Sequence, residues 1–315
     1  MSDSVRSSAA LLQQLKLDQT LNDKLIDSEF PYKAPKHFIS QIQLADSKDP
    51  LLKQILPVEE ELRQTEGFSQ DPVGDFKKNP QPSLLHKYHG RVLLIASPKC
   101  DIHCRYCFRR HFPYEEHTNQ RHWQEALNTI AEDNSLHEVI LSGGDPMSLS
   151  EAAVLKLSQQ IEAIAHITTL RIHSRTPVVA PDKAIQNKWL DWAQQSRLNI
   201  VIVVHCNHAN ELSEQTKELF AKYRQAGITL LNQSVLLKGI NDSVETLKNL
   251  SHKLFAQGIL PYYLHQLDKV QGASHFEVSD QQALALHEKL RTKLPGYLVP
   301  KLVREISGEP YKTPL

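Results

Sequence analysis

Between residues 91 and 265, short apolar segments alternate with longer segments in which apolar residues recur at helical spacing. The segments 151–165 and 243–257, for example, each place their large apolar residues on one helical face. Regular alternation of this kind predicts a parallel sheet with helices outside it, so the predicted fold class is α/β. The predicted strands are residues 91–97, 138–142, 169–174, 199–205, 229–235 and 259–265. Because six strands are too few to close an eight-stranded barrel, we predict a partial (β/α)6 barrel.

The predicted barrel, residues 86–296, lies between two segments of different character. Residues 1–85 are polar, with helical patches that prolines interrupt, and they end in a loop rich in proline and glycine at 67–82. These features predict an α-helical N-terminal appendage. Residues 297–315 form a short C-terminal segment, and its first part, 297–306, predicts an extended stretch that returns to the mouth of the barrel.

Composition excludes several classes of protein. With 315 residues, of which 40% are hydrophobic, the chain is long enough to bury a full core. Its 36 basic and 36 acidic residues cancel, so no basic excess indicates a nucleic-acid partner. The apolar runs are too short to cross a membrane, and the first residues lack the apolar stretch of a secretion signal. Only four cysteines occur, three of them clustered, so we expect a protein of the reducing cytoplasm.

The clustered cysteines, Cys100, Cys104 and Cys107, follow the first predicted strand with CxxxCxxC spacing. Three thiolates on one loop can hold three irons of a [4Fe–4S] cluster and leave the fourth iron open, whereas electron-transfer clusters and structural zinc sites fill every position. Loops at the carboxyl ends of barrel strands converge over the barrel mouth, where catalytic sites are usual. The alternative is a zinc site with His103 or His111 as the fourth ligand.

Polar residues also mark the ends of other predicted strands. Gly143, Gly144 and Asp145 follow the second strand, and the two glycines predict a close approach of the backbone to a ligand. His205 and Gln233 lie among apolar residues of the fourth and fifth strands, where an inward polar group needs a partner. An ordinary tight turn and satisfied core residues are the alternatives.

The cysteine spacing resembles that of the radical SAM enzymes, in which S-adenosylmethionine (SAM) completes the cluster. Further motifs from about residue 85 onward narrow the resemblance to the lysine 2,3-aminomutase family. They are Arg91-Val92-Leu93, Cys104-Arg105-Tyr106-Cys107, Leu141-Ser142-Gly143-Gly144-Asp145, Ser174-Arg175-Thr176-Pro177, Asn232-Gln233-Ser234-Val235, Pro261-Tyr262-Tyr263 and Lys312-Thr313-Pro314. Because these motifs keep one order along the chain, they are far more specific than the cysteines alone.

The resemblance implies roles for the polar strand ends. In radical SAM enzymes the segment after the second strand binds the methionine amino group of SAM, and Gly143, Gly144 and Asp145 stand at that position. The nucleoside of SAM would supply partners for His205 and Gln233. SAM provides the radical that removes hydrogen from a carbon which no acid or base side chain could deprotonate at neutral pH.

The resemblance also implies a second cofactor, pyridoxal 5′-phosphate (PLP). The aminomutases bind it covalently to a lysine that Thr-Pro follows, and Lys312 stands in that position. Arg91 aligns with an arginine near the PLP phosphate. From the residues alone, the alternative for Lys312 is an ordinary solvent-exposed lysine near the C-terminus. In the family, a glycine-rich segment precedes this lysine. Here residues 307–311 take its place, and a proline restricts the backbone of that loop.

The implied substrate pocket suits an amino acid with a cationic side chain. Arg109 matches the arginine that binds the substrate carboxylate, and a guanidinium fork suits that partner. Asp268 matches an aspartate that receives the side-chain ammonium of lysine, and Glu305 stands, one methylene longer, where the family has a second aspartate. From the residues alone, a surface salt bridge is the alternative for Arg109.

The chain resembles the short bacterial form of the family, which makes (R)-β-lysine for attachment to translation elongation factor P. We therefore expect an isomerase that converts L-α-lysine to (R)-β-lysine, linked to elongation factor P and its lysyl ligase. The alternatives are an aminomutase for another amino acid and a non-catalytic zinc or iron–sulfur protein. The longer aminomutases carry a C-terminal tail whose cysteine binds zinc between subunits, and the sequence has no counterpart of it. We therefore expect a homo-oligomer only as one possibility.

Overall fold

The computed structural model describes residues 4–17, 30–76, 83–114 and 120–315. Strands β1 (Ser4–Val5) and β2 (Ala34–Pro35) pair with each other. Nine further strands of the described residues form one sheet, in which the spatial order is the order along the chain. They are β3 (Leu84–Tyr88), β4 (Arg91–Ser97), β5 (Glu138–Gly143), β6 (Thr169–Ser174), β7 (Asn199–His205), β8 (Thr229–Val235), β9 (Leu260–His265), β10 (Lys301–Arg304) and β11 (Thr313–Pro314). Strands β4 to β10 are parallel, whereas β3 and β11 pair antiparallel at the two edges.

Helices connect the parallel strands, and serine residues begin several of them. The side chains of Ser7, Ser150, Ser213, Ser243 and Ser279 each accept the amide hydrogen of the residue three positions later. Serine is favoured there because its oxygen satisfies an amide that has no partner within the helix. The α-helices in the described residues are α1 (Ser8–Gln14), α2 (Lys36–Ser40), α3 (Pro50–Lys53), α4 (Gln120–Glu132), α5 (Glu151–Glu162), α6 (Thr176–Val179), α7 (Lys188–Gln195), α8 (Glu214–Gln225), α9 (Val244–Ala256) and α10 (Asp280–Arg291).

The predicted α/β fold is confirmed, and all six predicted strands lie within one residue of their predicted ends. The sheet extends beyond the prediction by β3, β10 and β11. The short segment Leu84–Tyr88 lacks regular alternation, and a bulge between Leu85 and Tyr88 shifts its register with β4. The periodicity of apolar residues therefore does not predict this strand. The predicted end of the N-terminal region, residue 85, lies within β3. Residues 77–82 of the predicted separating loop lie outside the described residues.

The sheet curls until its two edges meet through side chains. The hydroxyl group of Tyr88, in β3, lies 2.7 Å from a carboxylate oxygen of Glu305, just beyond β10. No backbone pairing joins β3 to β10 or β11 among the described strands, so the barrel remains open.

The N-terminal region packs into the same core as the sheet. Leu11, Phe38 and Leu51 belong to one cluster of buried side chains with Leu94 and Ile172 of the parallel strands. Burial of a large apolar side chain stabilises a fold by about 1.5–3 kcal/mol. This region therefore contributes directly to the stability of the barrel. None of the helices in the described parts of the chain has the length and apolar character needed to cross a membrane.

Gln54, just after α3, links the N-terminal region to the barrel by hydrogen bonds and is fully buried. Its Oε1 atom accepts from Tyr106 Oη at 3.2 Å, Asn207 Nδ2 at 3.0 Å and Arg175 Nη2 at 2.7 Å. Its Nε2 atom donates to Glu211 Oε1 at 3.1 Å. Buried amides that are satisfied in this way fix neighbouring elements relative to one another.

Candidate active site

A cavity of about 350 Å³ opens inside the curled sheet, a volume in the range of small-molecule sites. Every residue that the sequence singled out for a cofactor or the substrate lines it. These residues are Arg91, Cys100, Cys104, Cys107, Arg109, Gly143, Gly144, Asp145, His205, Gln233, Asp268, Glu305 and Lys312. Most of them lie at the carboxyl ends of parallel strands or in the loops that follow, which share one side of the sheet. Arg91 instead begins β4.

The thiols of Cys100, Cys104 and Cys107 line the cavity and lie close enough to influence one another electrostatically. Burial raises the pKa of Cys107 to about 11, and the charge of Cys104 adds to the effect. Burial likewise raises the pKa of Cys100 well above its ordinary value. Thiols of this kind ionise when metal displaces their protons, so the set is suited to bind iron.

The two histidines considered as zinc ligands are engaged elsewhere. His103 Nδ1 lies 2.8 Å from the carbonyl oxygen of Pro31, and the ring stacks on Phe30. His111 Nε2 lies 3.3 Å from the carbonyl oxygen of Gln271. Across the described ranges, no three His, Cys, Asp or Glu side chains gather closely enough to hold a single metal ion. Neither histidine is therefore placed to complete the zinc site considered as the alternative.

Gly143 and Gly144 pack against the backbone of the cysteine loop. A Cβ atom on Gly144 would lie 2.5 Å from the carbonyl oxygen of Lys99, and one on Gly143 would lie 2.8 Å from that of Ser97. The amide of Gly144 donates to the Ser97 carbonyl at 2.7 Å. That amide is therefore already paired within the protein. The two glycines are required because they let the end of β5 and the cysteine loop touch.

Asp145 joins the ends of two strands through both carboxylate oxygens. Oδ1 accepts from Met147 N at 2.9 Å and Ser174 Oγ at 2.6 Å, and Oδ2 accepts from Arg175 N at 2.8 Å and Thr176 N at 2.9 Å. Burial raises its pKa even though these hydrogen bonds favour the ionised form. The carboxylate thus orders the loops around the cavity, a role that the motif alone did not indicate.

His205 belongs to a buried polar group beside the cysteines. Its Nε2 atom lies 2.9 Å from Tyr106 Oη, and burial lowers its pKa well below the ordinary value. Arg175, which also lies here, donates from Nη1 to the sulfur of Cys104 at 2.7 Å and from Nη2 to Glu211 at 3.0 Å. The sequence patterns assigned no role to Arg175 or Tyr106, although both residues lie within motifs that carried the resemblance.

Arg109 is buried and held on two sides. Its Nε atom donates to Asp75 Oδ2 at 2.8 Å, and its Nη1 atom donates to Ser142 Oγ at 3.2 Å. Asp75 comes from the loop before β3, in a region to which the sequence assigned no chemistry. The surface salt bridge considered as the alternative for Arg109 does not fit this buried position.

Lys312 lies at the other edge of the sheet, beside Glu305. Its Nζ atom is 2.6 Å from Glu305 Oε2, while Glu305 Oε1 accepts from Tyr88 at 2.7 Å. Lys87 Nζ lies 3.6 Å from Glu305 and 2.5 Å from Asp75. The second predicted ammonium-binding carboxylate is therefore already paired with cations of the protein itself.

Asp268 differs from Glu305 because its carboxylate makes no hydrogen bond or ion pair in the described residues, although it lines the cavity. Burial raises its pKa to about 7, against the opposing effect of Lys312. A carboxyl group of this kind is suited to receive a cation from a ligand, because a bound cation would restore the charged form.

The chain is similar to known proteins in sequence and, more weakly, in structure. The model of the radical SAM superfamily matches residues 94–250. The chain is 47% identical over 319 residues to the L-lysine 2,3-aminomutase of Escherichia coli (strain K12), covering 100% of this chain and 93% of that protein. It is 47% identical over 285 residues to the L-lysine 2,3-aminomutase of Haemophilus influenzae, covering 90% and 84%. A solved radical SAM methyltransferase from Sphaerobacter thermophilus aligns at 15% identity with a TM-score of 0.45, covering 70% of this chain and 68% of that one.

The open parallel barrel with three cysteines at its mouth defines a radical SAM enzyme. Within the radical SAM enzymes, the 47% identity to the Escherichia coli L-lysine 2,3-aminomutase, over 93% of that protein, identifies the family. The chain belongs to the lysine 2,3-aminomutase family, a family of isomerases.

Proposed function

We propose that this protein converts L-α-lysine to (R)-β-lysine by moving the α-amino group to the β-carbon. The observation that carries the proposal is one cavity lined both by Cys100, Cys104 and Cys107 and by Lys312. An amino-group shift of this kind needs a radical source and a group that holds the migrating nitrogen. The names of the two bacterial relatives support lysine as the substrate.

The three cysteines would bind a [4Fe–4S] cluster, with SAM at the fourth iron. Their spacing and their shared position on one loop fit a cluster with an open iron. When bound, the cluster and SAM supply the radical that removes a hydrogen atom from the β-carbon. Gly143 and Gly144 would hold the cysteine loop against β5, and His205 and Gln233 would contact the nucleoside.

Lys312 would bind PLP, with Arg91 near the phosphate. Two buried atoms of the same cavity, Arg171 Nε and His173 Nε2, have no hydrogen-bond partner in the described residues. Buried donors of this kind suit an anionic ligand with several acceptor atoms, which describes PLP. When bound, PLP holds the migrating nitrogen in a π-system that stabilises the unpaired electron.

The substrate would be held at both ends. Arg109 would bind its carboxylate, and Asp268, which forms no ion pair with any described residue, would receive the side-chain ammonium. Glu305 would contribute to the same cationic preference once Lys312 carries PLP instead of a free ammonium. Two carboxylates at this end of the pocket disfavour an acidic substrate such as glutamate.

We assign the product to the modification of elongation factor P by its lysyl ligase in the cytoplasm. The match to 93% of the Escherichia coli relative supports the short form of the family, on which this assignment rests. Incubating purified ligase and elongation factor P with the enzyme's product, and measuring the mass of the factor by mass spectrometry, tests this step separately. An unmodified factor would remove the pathway assignment and leave the isomerase reaction standing.

The decisive experiment is chiral mass spectrometry of amino acids after anaerobic incubation of the reconstituted protein with SAM, PLP, dithionite and L-lysine. We expect (R)-β-lysine, and no product from Cys104→Ala, which lacks a cluster ligand. Formation of 5′-deoxyadenosine without β-lysine would contradict lysine as the substrate. Absence of both from an iron-loaded protein would contradict the radical mechanism.

A further inference from the structure

Asp75 holds two cations of the active site at once. Its Oδ2 atom accepts from Arg109 Nε at 2.8 Å, and its Oδ1 atom lies 2.5 Å from Lys87 Nζ. The residue is 2% exposed. Burial alone would raise the pKa of Asp75, but Arg109 and Lys87 hold it below the ordinary value. Asp75 is therefore a buried anion shared by the two cations.

This contact determines which edge of Arg109 can meet a ligand. A guanidinium binds a carboxylate in a bidentate manner through Nε and Nη2 or through Nη1 and Nη2. Asp75 occupies Nε, while Nη1 donates to Ser142 Oγ at 3.2 Å and, over a longer distance of 3.5 Å, to the carbonyl oxygen of Gly143. No acceptor in the described part of the chain takes a hydrogen bond from Nη2. A carboxylate in the cavity therefore meets Arg109 at Nη2, in an orientation that Asp75 sets.

The loop that carries Asp75 is itself held in place. The carboxylate of Asp71 accepts the amides of Asp75 at 2.8 Å and Phe76 at 3.1 Å. Gly74 has a φ of +69°, and a Cβ atom there would overlap the side chain of Ser307. The loop thus packs against the C-terminal segment that continues to Lys312, so Asp75 occupies a defined position between the two ends of the pocket.

We infer that Asp75 is a positioning residue, which fixes Arg109 and through it the orientation of the substrate carboxylate. The inference rests on the proposed function, because it assigns Arg109 to that carboxylate. Productive reaction requires the β-carbon to face the radical carbon, and a misplacement of about 1 Å can cost about a hundredfold in rate. Neutralising Asp75 leaves Arg109 charged and able to attract a carboxylate. Lysine binding should therefore suffer less than the chemistry that follows it.

The test compares Asp75→Asn with the wild-type enzyme by steady-state kinetics on L-lysine and by the ratio of 5′-deoxyadenosine released to β-lysine formed. We expect kcat to fall about tenfold to a hundredfold while KM for lysine changes less than about threefold. The ratio should rise because radicals form beside a misaligned substrate. Asp75→Glu, which keeps the charge, should recover part of the coupling.

Asp49→Asn is the matched control. Asp49 is also 2% exposed and also lies in the N-terminal region, but it caps α3 and does not line the cavity. This control should keep the wild-type ratio of 5′-deoxyadenosine to β-lysine. Iron content and SAM cleavage without lysine should be equal in the wild type and all three variants. A higher KM with unchanged kcat, or an unchanged ratio, would overturn the positioning role.

Asp75→Asn leaves the half-buried Lys87 with only the more distant Glu305, 3.6 Å away, as its anion, which can impair folding. The double variant Asp75→Asn/Lys87→Met removes both charges and keeps the inference testable in that case. It should fold, bind iron and show the raised ratio, whereas a normal ratio would refute the inference. A wild-type enzyme that forms no β-lysine would instead refute the proposed function, and the inference with it.

Discussion

Tyr88, in the first strand of the nine-stranded sheet, donates a hydrogen bond of 2.7 Å to Glu305, which follows the last parallel strand. Glu305 accepts at the same time from Lys312, at 2.6 Å. Burial would raise the pKa of Glu305, but Lys312 and Tyr88 hold it below the ordinary value. The two edges of the sheet are therefore joined by side chains at Glu305. The same carboxylate accepts from Lys312, the lysine to which PLP is proposed to bind.

Tyr88→Phe should lower the free energy of unfolding by about 1 kcal/mol, since it removes one hydrogen bond to a charged, partly buried acceptor. Glu305 has a depressed pKa, so its stabilising contacts are present above the unfolded value of about 4.3 and are lost as pH falls. The destabilisation should thus be seen at pH 7 and shrink below pH 4 in denaturant titrations. Tyr297→Phe, at an exposed tyrosine, is the control and should show no such difference.

Lys312→Ala should abolish β-lysine formation, because the amine that would bind PLP is gone. Absorbance of protein-bound PLP should disappear after dialysis, while iron content and SAM cleavage stay at wild-type values. Lys301→Ala, at an exposed lysine of β10, should change none of these properties. Full activity of the Lys312 variant would remove the PLP assignment.

Asp268 should make lysine binding depend on pH. Its pKa is raised to about 7 by burial, so the free enzyme carries a neutral carboxyl below that pH. The affinity for lysine should fall about tenfold for each pH unit below 7 and level off above it. Calorimetric titrations between pH 5.5 and pH 8 on the PLP-loaded enzyme would measure this slope, and Asp268→Asn should flatten it. A slope that persists in the variant would show that another group is responsible.

The raised pKa of Asp268 also makes folding stability depend on pH. Stability should fall as pH rises, whereas lysine binding should strengthen. A folded pKa of about 7 means that the native carboxyl keeps a proton which the unfolded chain, with a pKa near 3.9, has already lost. This contribution favours the native state in acid and disappears as pH rises through 7. Asp268→Asn should therefore be more stabilising at pH 8 than at pH 5, measured as the difference in melting temperature from the wild type.

Gly144→Ala should disturb the cysteine loop, since the new Cβ atom would overlap the backbone of Lys99. Overpacking against backbone typically costs about 1–3 kcal/mol. We expect a lower melting temperature and a lower iron content after reconstitution. Gly296→Ala is the matched control, because its Cβ atom would have no neighbour within 4 Å. Equal iron content in the two variants would contradict the close contact.

The sequence predicts much of the fold for two reasons. Parallel strands buried on both faces are nearly continuous apolar runs, as in residues 200–204, and the helices between them carry one apolar face. Strand β3 was missed because its pairing depends on its neighbour β4 more than on its own pattern. Residues 301–304 were recognised as extended, but only the three-dimensional arrangement shows them to be a parallel strand beside β9.

Residue type and motif together single out the cysteines, Arg109 and Lys312, and the structure brings them to one cavity. The sequence does not reveal a partner that is distant along the chain. Asp75 meets Arg109 across 34 positions, and Tyr88 meets Glu305 across 217. No local pattern marks an aspartate in a polar loop as the partner of a buried arginine, so Asp75 required the structure.

The hydrogen bonds of Gln54 have a consequence for survival in air. This side chain connects the N-terminal region to Tyr106 and Arg175, and Arg175 in turn contacts the sulfur of Cys104. Local opening of the N-terminal region would break these contacts and uncover the cysteine loop from that side. Amide hydrogen exchange around Gln54 would report this opening, and a variant with faster exchange there should bleach faster in air once its cluster is reconstituted.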